Sequence, residues 1–108
     1  MDPPGPEVAD IVRRYRQQLE QMGIRVARMV LYGSHARGTA DEDSDIDLLI
    51  VSPDFSRMNW RKRLELLGVA TARLWQPVQG YPCTPEELEQ IGSGTFLEEI
   101  LETGVVLA

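Results

Sequence analysis

The chain is short of several things, and each shortage removes a class of protein. It has one cysteine, Cys83, among 108 residues, so no intrachain disulfide can form, nothing marks an oxidising compartment, and a buried, inert thiol is expected. It lacks an excess of positive charge. Its 11 Lys and Arg stand against 17 Asp and Glu, and a net charge of -6 offers no basic footprint for a phosphate backbone, which argues against nucleic acid as the partner. No apolar run approaches the length needed to span a bilayer. The opening "MDPPGP" has neither the basic region nor the apolar region of a secretory signal. A cytoplasmic protein without membrane contact is the expectation. A chain of this length buries one modest core, which predicts a single domain over residues 7–108 behind a flexible tail of residues 1–6.

What is present reads as helices and strands in one α/β domain. Val8, Ile11, Val12, Tyr15, Leu19 and Met22 recur at helical spacing and Gly23 follows as a helix stop. "RVARMVLY", Arg25 to Tyr32, and "IDLLIV", Ile46 to Val51, have the apolar and β-branched density of strands. Trp60, Leu64, Leu67, Thr71 and Leu74 predict a second long helix, with Arg61, Lys62, Arg63 and Glu65 on its solvated side. "PVQGYPC", Pro77 to Cys83, is a weak strand whose Gly80 and Pro82 suit a sheet edge. Thr84, Pro85 and Glu87 combine an N-cap, Pro at the first helical position and a capping box. Helical pieces over Pro85–Ile91 and Thr95–Glu102 then lead through Gly104 to an apolar tail, Val105 to Ala108. Trp60 and Trp75 flank the long helix and are expected to pack in the core or against a partner.

The chemistry concentrates in "LYGSHARGTADEDSDIDLLIV", Leu31 to Val51. Alternation along a strand puts Asp45 and Asp47 on one face, roughly 6.5 to 7 Å apart at Cα. Both carboxylates then reach one divalent ion or a close pair of ions. Hard oxygen ligands suit Mg²⁺, which takes its remaining ligands from water and substrate phosphates. Gly33 permits a tight turn, and the residues after it can open a short helix whose N–H groups favour an anion. Ser34 adds a hydroxyl for the phosphates, while Arg37 either contacts them or braces the acidic loop through Asp43 or Asp45. An acidic loop by itself is usually a solvated turn; the combination of strand, Gly-Ser turn, loop and paired-Asp strand is what points to a nucleotide and metal site. A calcium loop beginning at Asp41 fails because its sixth position is Ile46 and its twelfth is Ser52. The turn has no Gly-Lys pair, which excludes a P-loop. His35 and the run Arg61 to Arg63 are expected to be solvated.

With Gly33-Ser34, ten intervening residues, and then Asp45-Ile46-Asp47, the chain resembles the minimal nucleotidyltransferases, the small members of the DNA polymerase β-like superfamily. "PVQGYPCTPEELEQI" and "FLEEILETGVVLA" are similar to that family's third strand, following helix and tail. The resemblance implies a small mixed, mainly antiparallel sheet with helices packed on it. It implies Mg²⁺-dependent transfer of a nucleoside monophosphate, typically from ATP, to a hydroxyl. Asp45 and Asp47 would bind metal, and Gly33 with Ser34 the triphosphate. It further implies a HEPN-domain toxin as partner, neutralised by adenylylation of a tyrosine. One position departs from the pattern: where the family carries a third Asp, a metal ligand that activates the acceptor hydroxyl, this chain has Gln79. A carboxamide cannot act as a base near pH 7. Asp54 and Glu65 are the acids that an altered geometry would have to bring near. Three readings follow: an enzyme that adenylylates a protein tyrosine, a catalytically weakened module that binds nucleotide and partner, and a free-standing small-molecule nucleotidyltransferase completed by a dimer or partner.

Overall fold

A computed structural model describes residues 5–107. The expected tail falls outside it at residues 1–4, whereas Pro6, assigned to that tail, is the first residue of helix α1, Pro6–Gln21. Proline tolerates this position because the first helical N–H needs no intrahelical partner. α1 buries Val12, Tyr15 and Leu19, and its chain leaves through Gly23 at φ 87°, a left-handed conformation in which glycine carries no Cβ penalty.

Strand β1 spans Arg28–Tyr32, three residues shorter at its start than the apolar pattern predicts. The difference has a local cause. The Arg25 N–H donates to Asp54 Oδ2 at 2.8 Å, which holds that segment outside the sheet. Helix α2, Ser34–Arg37, and strand β2, Ile46–Val51, follow, then a 3₁₀ turn at Pro53–Arg57 whose start is capped by the Ser52 hydroxyl. Helix α3, Trp60–Leu74, crosses over to strand β3, Val78–Cys83. Helix α4, Pro85–Glu89, carries the expected Thr84–Glu87 capping box and stops before Ile91. Helix α5, Phe96–Thr103, has Thr95 as its N-cap, and strand β4, Val105–Val106, ends the described chain.

The sheet order is β3-β2-β1-β4, with β1 antiparallel to both β2 and β4, and β2 parallel to β3. It is a mixed, mainly antiparallel α/β arrangement. The parallel pair follows from the α3 crossover, which is long enough to return the chain to the same end of the sheet. β3 forms despite Gly80 and Pro82 because it occupies an edge, where a missing ladder donor is tolerated. One sheet face, carrying Met29, Leu31, Leu48 and Ile50, packs on Tyr15 and Leu19 of α1 and Leu67 and Ala70 of α3. The opposite face, carrying Val30, Leu49, Val51 and Cys83, packs on Ile100 of α5.

Two side-chain expectations need correction. Arg63 is not on a solvated face: it is buried, pairs with Glu87 at 2.8 Å and donates through Nε to the Phe55 carbonyl at 3.0 Å. Trp75 is 91% exposed and Trp60 half-exposed, so neither belongs to the core, although Trp60 packs edge-on against Tyr81. Cys83 is buried as expected, and burial, then the charge of Glu87, pushes its thiol up to about 11. Among the described residues no helix is long and apolar enough to cross a membrane.

Candidate functional site

The β1–β2 register places Tyr32 opposite Asp47, and Gly33 follows Tyr32 directly. The Gly-Ser turn is therefore delivered to the Asp-x-Asp segment by strand pairing alone. Gly33 adopts φ 74°, and a Cβ there would collide with the Asp47 Oδ2 and lie 3.2 Å from its Cγ. Both facts require glycine: the backbone is left-handed and the carboxylate occupies the space of a side chain. The Gly33 carbonyl accepts from the Ala36 and Arg37 N–H groups at 3.1 Å each, closing α2. The N–H groups of Ser34 and His35, first in that turn, have no intrahelical acceptor and carry the positive end of its dipole. α2 ends at Gly38 in a left-handed C-cap.

Asp47 is half-buried inside β2, and exposed Asp45 lies one residue before the strand. Burial, then the negative charge of Asp45, raises the Asp47 carboxyl above its usual range, while His35 and Arg37 pull the other way. The two carboxylates are thus close enough to repel one another, an arrangement relieved by a cation. The preceding loop is braced internally rather than by Arg37. Asp41 Oδ1 accepts from the Asp43 N–H at 2.9 Å and the Ser44 hydroxyl at 3.1 Å. The His35 imidazole Nε2 lies 3.3 Å from the Ser44 carbonyl and donates to it when that nitrogen carries the proton. His35, expected to be solvated, thus ties α2 to the acidic loop. Among the described residues Arg37 forms no ion pair, so the expected brace to Asp43 or Asp45 is not made.

Gln79 stands where the family resemblance implies a third carboxylate, directly beside Asp47 in the parallel β2–β3 register and exposed on the same sheet face. Neither alternative acid replaces it. Asp54 is bound by Arg25, with Nη2 to Oδ1 at 3.2 Å, and Glu65 pairs with Arg61 at 3.2 Å on the solvent face of α3. Among the described residues no three His, Cys, Asp or Glu side chains gather to enclose a metal. The donor set of two acidic oxygens groups beside a neutral amide fits an ion such as Mg²⁺, which needs only one or two protein carboxylates when phosphates and water complete its shell.

A cleft of about 340 Å³ opens beside this constellation. Its sheet side is formed by Tyr32, Gly33, Arg37 and Asp47. Its other wall is α5, through Phe96, Glu99, Ile100 and Thr103. Phe96 meets Tyr32 edge-on with ring centroids 5.7 Å apart. Burial, then the Asp47 charge, pushes the Tyr32 phenol up to about 12, so it stays protonated and neutral. No sequence signal identified the α5 wall, because the spacing of those residues serves the apolar packing of Ile100 equally well.

This constellation agrees with what the chain is similar to. The model of the family described as "Nucleotidyltransferase domain" matches residues 12–105. Among curated proteins of Methanocaldococcus jannaschii, the one named "Putative protein adenylyltransferase MJ0141" is 27% identical over 59 residues, covering 54% of this chain and 60% of that protein. A second, "Putative protein adenylyltransferase MJ1379", is 31% identical over 61 residues, covering 56% of this chain and 60% of that protein. The chain thus spans about three-fifths of the length of the curated relatives it matches. A solved structure described as a "putative nucleotidyltransferase from Sulfolobus solfataricus" superposes with a TM-score of 0.55 at 19% identity, over 94% of this chain and 86% of that one, which shows a shared fold. With the family model covering all but the ends of the chain, this protein belongs to the nucleotidyltransferase domain family.

Proposed function

We propose that the protein transfers a nucleoside monophosphate, AMP from ATP, to a hydroxyl, and that the acceptor is a tyrosine of a HEPN-domain partner. The observation that carries the transfer reading is the contact between Gly33 and the Asp47 carboxylate, which puts a phosphate-binding turn and a metal-binding carboxylate at one point. The names of the relatives, protein adenylyltransferases, support ATP as donor and a protein as acceptor. The family resemblance supports the HEPN partner. In this reading the Ser34 hydroxyl and the Ser34 and His35 N–H groups hold the phosphates, with the Arg37 guanidinium at the mouth of the cleft. Asp45 and Asp47 would hold Mg²⁺, which when bound offsets negative charge on the phosphates. The acceptor oxygen attacks the α-phosphorus, the bond to pyrophosphate breaks, and the hydroxyl proton passes to water, since Gln79 has no basic group to take it.

A second reading, a module that binds nucleotide and partner without turnover, is favoured by one observation: Gln79 lies beside Asp47 where a base would work. Loss of general-base assistance costs about 10² to 10⁴ in rate and leaves binding in place. Intact-mass spectrometry of the co-purified partner after incubation with ATP and Mg²⁺ separates the two. An added AMP with the wild type, absent with Asp47→Asn, supports transfer. An addition only with Gln79→Asp supports the binding module.

A further inference from the structure

The cleft beside Asp47 has two walls, and only the sheet wall carries a cationic side chain. The sheet wall offers Gly33 and the Arg37 guanidinium, which suits anionic oxygens, beside the Asp47 carboxylate, which suits a cation. The α5 wall offers Phe96, Glu99, Ile100 and Thr103, at spacings that line one side of a helix. Among the described residues Glu99 joins no metal-holding group with Asp45 and Asp47, and without a cation a carboxylate is repelled by phosphates, so in a cleft that takes a nucleotide it suits a different part of the ligand. The parts that remain are the base and the ribose, and the ribose hydroxyls are the neutral donors a carboxylate accepts from best. An acidic side chain that accepts from a ribose hydroxyl is also how dinucleotide-binding folds read the sugar.

We propose that Glu99 accepts hydrogen bonds from the ribose hydroxyls of the bound nucleotide and makes the site select ribonucleotides over 2′-deoxyribonucleotides. The inference rests on the nucleotide reading of the same cleft. Three observations carry it beyond that reading. Among the described residues the Glu99 side chain forms no ion pair and no hydrogen bond, whereas the adjacent Glu98 is committed to its own helix start, accepting from the Gly94 N–H at 3.0 Å. The Thr103 hydroxyl, one turn on, donates to the Glu99 main-chain carbonyl at 2.7 Å, which leaves its oxygen able to accept from a second sugar hydroxyl. Phe96, one turn before Glu99 and 52% exposed, offers an apolar ring edge-on to Tyr32 at the same wall, where a base can lie. A volume of about 340 Å³ is adequate for the nucleoside part of such a ligand.

The test is equilibrium binding of ATP and 2′-deoxy-ATP to the full chain in Mg²⁺, for wild type, Glu99→Gln and Glu99→Ala, with thermal melts to confirm folding. Glu99 is exposed, so both variants should fold. Wild type is expected to prefer ATP by about tenfold or more, the effect of a hydrogen bond to a charged group. Glu99→Ala should bring the two affinities together by weakening ATP alone, and Glu99→Gln, which keeps an acceptor oxygen, should fall between. Equal binding of both nucleotides by wild type overturns the proposal, as does a preference that survives in Glu99→Ala or an equal loss for both nucleotides. If wild type binds neither nucleotide, the nucleotide reading fails and the proposal with it; if it binds both alike, only the proposal fails.

Discussion

At the scale of single residues, Gly33 and Asp47 share one volume, so neither changes without the other. Gly33→Ala forces a side chain into a left-handed backbone and against the carboxylate, and is expected to cost about 1–3 kcal/mol in stability. It should also abolish nucleotide binding; urea titration and ATP calorimetry check the two effects separately. Asp47 carries a cost of its own. Its carboxyl is raised above the usual 3.8 by burial and then by Asp45. The folded chain therefore binds this proton more tightly than the unfolded chain. Stability from this group falls as pH rises from 3.8 through the raised folded value, and below 3.8 both forms are protonated and the penalty vanishes. Asp47→Asn is thus expected to melt higher than wild type at pH 7 in EDTA, with the difference closing toward pH 4 in a series of thermal melts. A variant that melts lower at neutral pH would contradict this account of the site. Gly33, Ser34, Asp45 and Asp47 were legible because their spacing is read along the chain. The tie from His35 to Ser44 was not, since it depends on how the acidic loop folds back on itself.

The elements show where local pattern suffices and where it fails. β2 and α3 begin and end where the sequence placed them, because an unbroken apolar run and a helical repeat are local signals. β1 starts late because Asp54, distant in sequence, captures Arg25. Arg63 looked solvated as the last member of a basic triplet, yet its side chain reaches the Phe55 carbonyl and Glu87 in the finished fold. Arg63→Ala removes a buried, charged donor from that carbonyl and from Glu87, each of which keeps one backbone N–H, and is expected to cost about 1–3 kcal/mol in a urea titration. Arg61→Ala, on the solvent face of α3, should cost well under 1 kcal/mol by the same measurement. β3 needs Gly80 for packing as well as for its edge position: a Cβ there would lie 2.7 Å from the Tyr15 hydroxyl and 2.8 Å from Leu67 Cδ1, both in the core. Gly80→Val should therefore destabilise by about 1–3 kcal/mol, the usual penalty of overpacking, and loosen the strand that sets Gln79 beside Asp47.

In the molecule as a whole, the two sheet faces have different work. The face under α1 and α3 is closed by apolar side chains and supplies much of the core. The face under α5 is closed only in part, and at its open end Tyr32, Asp47 and Gln79 stand side by side across three strands. Periodicity and spacing could not show that row, because it depends on the parallel pairing of β2 with β3 across α3; only the family resemblance put Gln79 at the site. The cleft was equally hidden, since half its lining comes from α5, some fifty residues beyond Asp47. The row and the cleft share Tyr32 and Asp47, and of these Asp47 is the carboxylate. Calorimetric titration of ATP in Mg²⁺ into wild type and Asp47→Asn is the most direct measurement of whether this point is a nucleotide and metal site. Saturable, Mg²⁺-dependent binding by wild type, weakened about a hundredfold in a folded Asp47→Asn, is the predicted result. Equal affinity in the two proteins, or no binding by wild type, would contradict it.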